Sequence, residues 1–66
     1  MALTQYEQGV FYGAAIVIAV HNEPTIAATI IVNAGYQNHD VSDLDDYEKN
    51  ELKKINNLDG VNLQGL

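Results

Sequence analysis

The chain has no cysteine, no arginine and no tryptophan, and only one serine and one proline in 66 residues. Without cysteine no disulfide can form, and a chain this short buries only about 60% of the surface its unfolded form exposes. Ordering it costs roughly 1.5 kcal/mol per residue, so domains of this size usually lean on a disulfide, a metal or a partner subunit. A structural zinc site takes four Cys or His ligands at short spacings, and here there are only His21 and His39. With disulfide and metal set aside, oligomerisation is the expected support. No catalytic furniture is visible either. The single serine, Ser42, is best used as a helix cap, and there is no Gly-rich phosphate loop. An enzyme is not expected, and no cofactor is implied.

Basic residues are scarce as well. The three lysines, Lys49, Lys53 and Lys54, stand against nine acids, for a formal net charge of −6. That balance disfavours phosphate backbones and anionic lipid surfaces, so direct binding to nucleic acid or membrane is not expected. The opening MALTQYEQG lacks the basic segment of a secretory signal, and the absence of cysteine fits a reducing compartment, which together point to the cytoplasm. The longest apolar run, Val10 to Val20, is eleven residues, where a membrane span needs about 20.

What is present is helical patterning across one domain, residues 1–66. Thr4-Gln5-Tyr6-Glu7 is a capping box, and it predicts a helix over about 4–21. That helix would be roughly 26 Å long and apolar around its circumference, as a helix is when central or sandwiched between partners. His21-Asn22-Glu23-Pro24 breaks the pattern, with Asn22 or Glu23 as the cap of a second helix over 23–34. Gly35 fits the left-handed position past its end, and Tyr36 the next position of a Schellman motif. Ser42-Asp43-Leu44-Asp45 suggests a third cap and a helix over 43–57, with Leu44, Tyr47, Leu52, Ile55 and Leu58 within about 140° of arc. Asp59-Gly60 then turns the chain into an extended apolar tail of Val61, Leu63 and Leu66. The expected fold is all-α, three helices and a C-terminal tail, packed in a homo-oligomer. Because β-branched residues crowd 14–32, an α+β fold with a hairpin there is the alternative.

Two sets of candidate residues follow. Gly9 and Gly13 share a helix face where another backbone could approach, within the chain or from a second chain. Together with Val10, Phe11, Ile16, Val17, Val20 and Ile30 they form the expected self-association set. The second set is for a partner protein: Tyr12, the corner His21, Asn22 and Glu23, and the acids Asp43, Asp45 and Asp46. The acids invite a reading as mimicry of a nucleic-acid backbone. Set against it, acids early and lysines late in a helix are what its dipole favours. His21-x-Glu23 matches part of a zinc-deaminase motif, but the required cysteine pair is missing. Asp40 to Glu51 has the length of a calcium loop, but Leu44 and Asp45 occupy the positions of a ligand and a glycine.

In length, acidity and lack of catalytic residues the chain resembles the short accessory proteins encoded by bacteriophages and prophages. The resemblance implies a protein that binds a host factor, often a defence or nucleic-acid enzyme, and blocks it. The expected function is a non-enzymatic homo-oligomeric protein-binding module of this inhibitor type. Two alternatives stand beside it: a small-ligand or nucleotide-binding protein with pockets at subunit junctions near Tyr12, His21 and Asn22, and a structural component of a larger assembly.

Overall fold

The computed structural model describes residues 3–66 and has three helices, α1 (Gln5–His21), α2 (Pro24–Ala34) and α3 (Asp46–Leu52). Among the described residues no strand forms, so the hairpin over 14–32 is replaced by α1 and α2. No helix among them is long and apolar enough to cross a membrane.

Local chemistry sets most helix ends. At the start of α1 the Thr4 hydroxyl accepts from the Glu7 N–H at 3.1 Å, and the Thr4 N–H donates to Glu7 Oε1 at 2.8 Å, a complete capping box. Asn22 ends α1 in the left-handed region at φ 52°, a conformation asparagine tolerates better than most residues. Glu23 precedes α2 without a side-chain cap, and Pro24 opens the helix where its missing N–H costs nothing. Past α2, Gly35 sits at φ 80°. Its N–H donates to the Val32 carbonyl and the Tyr36 N–H to the Ile31 carbonyl, each at 3.0 Å, which is the Schellman pattern.

The third helix is shorter at both ends than 43–57. The Leu44 N–H donates to the Val41 carbonyl at 3.0 Å and the Ser42 N–H to Asp40 Oδ1 at 2.9 Å, so Ser42 lies in a turn, and Asp45 caps α3, accepting weakly from the Glu48 N–H at 3.5 Å. Past Leu52 the backbone passes into tight turns, with Ile55 N–H on the Leu52 carbonyl and Leu58 N–H on that of Ile55. Asn57 and Asp59 then take positive φ, 70° and 50°, where short polar side chains are tolerated. Leaving the 3.6-residue period splits the apolar stripe. Leu44, Leu52 and Ile55 go inside, while Tyr47 and Leu58 stay exposed.

Val61 and Leu63 fold back into the core. The Asn62 and Gln64 N–H groups donate to the Gln37 and His39 carbonyls at 2.7 and 2.9 Å, and the Val41 N–H donates to the Gln64 carbonyl at 2.8 Å. On the other side of this segment the Asn56 side-chain amide brackets Leu63, accepting from its N–H at 2.8 Å and donating to its carbonyl at 3.4 Å. Gly65 is required where it lies. At φ 82°, a Cβ there would stand 2.5 Å from Asp40 Oδ1 and 2.9 Å from the Ser42 nitrogen.

The core gathers Phe11, Ala14 and Ile18 of α1, Ala27, Ala28 and Ile31 of α2, and Val41, Leu44, Leu52, Ile55, Val61 and Leu63 from the second half. α1 packs on both α2 and α3, which do not pack on each other. The radius of gyration, 10.1 Å, is no larger than the roughly 11 Å expected of a folded chain of this length, so one copy closes a core by itself. Of the stretch Val10 to Ala34, Phe11, Ala14, Ala15, Ile18, Ala27, Ala28 and Ile31 are buried within the chain. Replacing Leu63 by Ala should lower stability by about 2–5 kcal/mol, whereas Leu58→Ala should change it by less than about 0.5 kcal/mol. Chemical denaturation of the two variants checks this ordering.

Candidate self-association face

α1 has two unlike sides. Phe11, Ala14, Ala15 and Ile18 point inward and are buried. Gly9, Gly13, Ile16 and Val20, spaced by four, three and four residues, fall on the opposite side, because helical residues so spaced share a face. Nothing lies within 4 Å of a Cβ built on Gly9 or Gly13, so these glycines accommodate no neighbour inside the chain. Val20 is 67% exposed and Ile16 half-buried. On the outer side of α2, Ile26 is 51% exposed and Ile30 lies just at the surface.

The charge distribution isolates this surface. From Gln8 to Asn38 the only Asp, Glu, Lys or Arg is Glu23, while the remaining acids and all three lysines lie at Glu7 or from Asp40 onward. Apart from Glu7 in the first turn of α1, the two helices carry no Asp, Glu, Lys or Arg, and most of the charge lies from Asp40 onward in the sequence.

Of the self-association set, Phe11 is corrected. Its ring is fully buried, with centroids 5.9 Å from Tyr36 and 6.2 Å from His39, and it offers no surface to a second chain. A large aromatic contributes most when wholly removed from water, and the inward position takes it. Val10 and Val17 lie half-buried on the flank, Val17 packed against the core. Gly9, Gly13, Ile16, Val20 and Ile30 remain on the outer surfaces. Two further residues belong with them, Tyr6, 74% exposed, and Ile26. Ile26 was legible as lying on the far side of α2 from Ala27, Ala28 and Ile31; for Tyr6, next to the cap, only its position in the first turn offered a signal.

The partner-protein set is not one site. Tyr12 lies beside Tyr47 on the α3 side, ring centroids 6.5 Å apart, whereas His21, Asn22 and Glu23 form the exposed corner about 13 Å further along α1. Asp43 and Asp45 hold backbone donors. Asp43 Oδ2 accepts from the Leu3 N–H at 3.1 Å, and Asp45 serves as the α3 cap. Asp46 lies exposed in the first turn of α3, where the helix dipole favours it, and Glu51 pairs with Lys54 at 2.9 Å. The ordinary needs of helix ends and turns thus account for most of the acidic cluster.

No protein-family model, no curated protein and no solved structure matches this chain. The reading of the face rests on its own chemistry.

A polar clamp sets the other limit of the α1 surface. Glu7 Oε2 lies 2.9 Å from His39 Nε2, and the His39 ring stacks on Tyr36 with centroids 4.5 Å apart. The Thr4 N–H first, then the His39 contact, hold the Glu7 carboxyl below its ordinary value. Burial, with the Glu7 charge second, raises the Tyr36 phenol above its own. Likewise the Ser42 N–H beside Asp40 lowers that carboxyl. These groups fasten the start of α1 to the segment after α2 and have structural work to do. Among the described residues no three His, Asp or Glu side chains are grouped to hold a metal ion.

Because the glycines face open space, Gly9→Ala and Gly13→Ala should each stabilise the dilute chain by about 0.5–1 kcal/mol, the helix advantage of alanine. Urea melts at low protein concentration read this directly, and a loss of stability there would place a neighbour against the glycines within the chain.

Proposed function

We propose that this chain is a non-enzymatic module that assembles with copies of itself through the outer face of α1. Its acidic second half is then left outward for contact with another protein. The observation that supports this reading is the uncharged, apolar outer side of α1 and α2 on a chain of net charge −6. Copies that repel one another elsewhere can meet there without bringing acids together, and such a contact would remove Val20, Ile16 and Tyr6 from water. Each fully buried large apolar side chain contributes about 1.5–3 kcal/mol, which is enough to offset part of the cost of association.

The role that suits such a module is that of the short phage accessory proteins it resembles, an inhibitor that occupies a host factor. In that role the exposed corner His21 to Glu23 and the exposed carboxylate Asp46 are the contact points.

Light scattering coupled to gel filtration, over a dilution series from hundreds of micromolar to sub-micromolar, tests the first half. The expected result is a mass that rises from that of one chain to a multiple of it as concentration increases. A folded monomer over the whole series would overturn the proposal.

A further inference from the structure

We infer that the returning segment, residues 61–66, is exchangeable between copies: two chains can each seat Val61, Leu63 and Gly65 in the groove of the other. This exchange does not involve the outer face of α1.

The groove holds the segment as a bound strand is held. Along one edge the Asn62 and Gln64 N–H groups donate to the Gln37 and His39 carbonyls, and the Val41 N–H donates to the Gln64 carbonyl. On the other edge the Asn56 amide takes both backbone groups of Leu63. Side chains alternate, with Val61 and Leu63 buried and Asn62 and Gln64 exposed. Main-chain bonds along an edge, with apolar space for every second side chain, are how proteins capture an extended segment of another chain. Gly65 adds a further demand, because a Cβ there would meet Asp40 and Ser42. A second copy carries the identical segment and so meets every one of these demands.

Only the connection between segment and body would change its course. Asn57, Asp59 and Gly60 take positive φ, 70°, 50° and 89°, and two of the three are not glycine. Left-handed backbone is unfavourable for a residue with a Cβ, and a short connection under such strain favours exchange, since opening relieves it while the contacts beyond it are remade. Residues 57–60 are all exposed, so straightening them uncovers no core side chain. Val61 and Leu63, by contrast, are only 1% and 4% exposed, and the segment leaves the groove only when the core opens. Exchange therefore occurs as chains fold together at high concentration. The product then persists on dilution, whereas a contact between surfaces separates.

Refolding the native chain from denaturant at millimolar and at micromolar concentration, then bringing both samples to one micromolar level for light scattering, tests this. The millimolar sample should hold a dimer that lasts for hours, and the other sample should not. Its absence, or its immediate loss on dilution, would overturn exchange while leaving a reversible contact through α1 standing.

Because the chain has no cysteine, an introduced pair locates the exchanged part. Asp40 and Gln64 are bridge partners in parallel register, and neighbouring strands lie about 4.8 Å apart, within the roughly 4.4–6.8 Å that a disulfide spans between Cα atoms. The variant carrying Asp40→Cys and Gln64→Cys is refolded at millimolar concentration and oxidised with glutathione disulfide. Exchange places its disulfides between chains, so the persistent dimer should run as a covalent dimer on a denaturing gel. Disulfides confined to single chains within a persistent dimer would mean that another part is exchanged and would sink the inference. Should the variant not fold, the mass of the native chain decides.

Discussion

The structure depends on a single constraint: among the described residues α1 is the only helix that packs on both of the others, and it does so through one narrow stripe. Phe11, Ala14, Ala15 and Ile18 must serve α2 on one flank and α3 on the other. Two of the four are alanines, and α2 answers with Ala27 and Ala28, also wholly buried. Small side chains let helix axes come close, while Phe11 and Ile18 fill the wider space beneath. The returning segment, Val61 and Leu63, joins this core, held from both sides by backbone carbonyls and the Asn56 amide.

A helix that buries only one stripe leaves the opposite one to solvent, and here that stripe is apolar and uncharged. The same constraint that builds the core therefore creates the candidate site. The clamp of Glu7, His39 and Tyr36 fastens the first turn of α1, and Asn22 with Glu23 turns the chain at the far end. The outer face is thus presented on a helix fixed at both ends, with Glu7 in its first turn and Glu23 just past its end as the acids nearest to it in sequence.

Much of this was legible in the sequence where local chemistry decides. The capping box at Thr4, the break at Pro24 and the left-handed Gly35 each rest on bonds within a few residues, and the helix ends fall where those residues put them. Reading failed where distant groups compete. Ser42 fits a cap by residue type, but the Val41 N–H pairs with the distant Gln64 carbonyl and the Leu44 N–H turns back to Val41, so the helix starts only after Asp45. The stripe from Leu44 to Leu58 assumed one unbroken helix; the turns after Leu52 put Ile55 inside and Leu58 outside. In the candidate site, an apolar circumference says that α1 has partners without saying which residues face them. Phe11 does not face another copy because its ring is fully buried beside Tyr36 and His39 of its own chain.

Contact between copies through the outer stripe of α1 is open to a direct test. Val20 tests it best, because it is 67% exposed in one chain and lies in the last turn of α1, where a cation suits the helix dipole. Sedimentation equilibrium of the native chain and of Val20→Lys is the direct measurement. A lysine there reduces the net negative charge and so weakens general repulsion. The native chain should nevertheless dimerise and the variant stay monomeric, with its dilute melting temperature unchanged. A native chain that is monomeric at every concentration, or a variant that dimerises as well as the native chain, would contradict it.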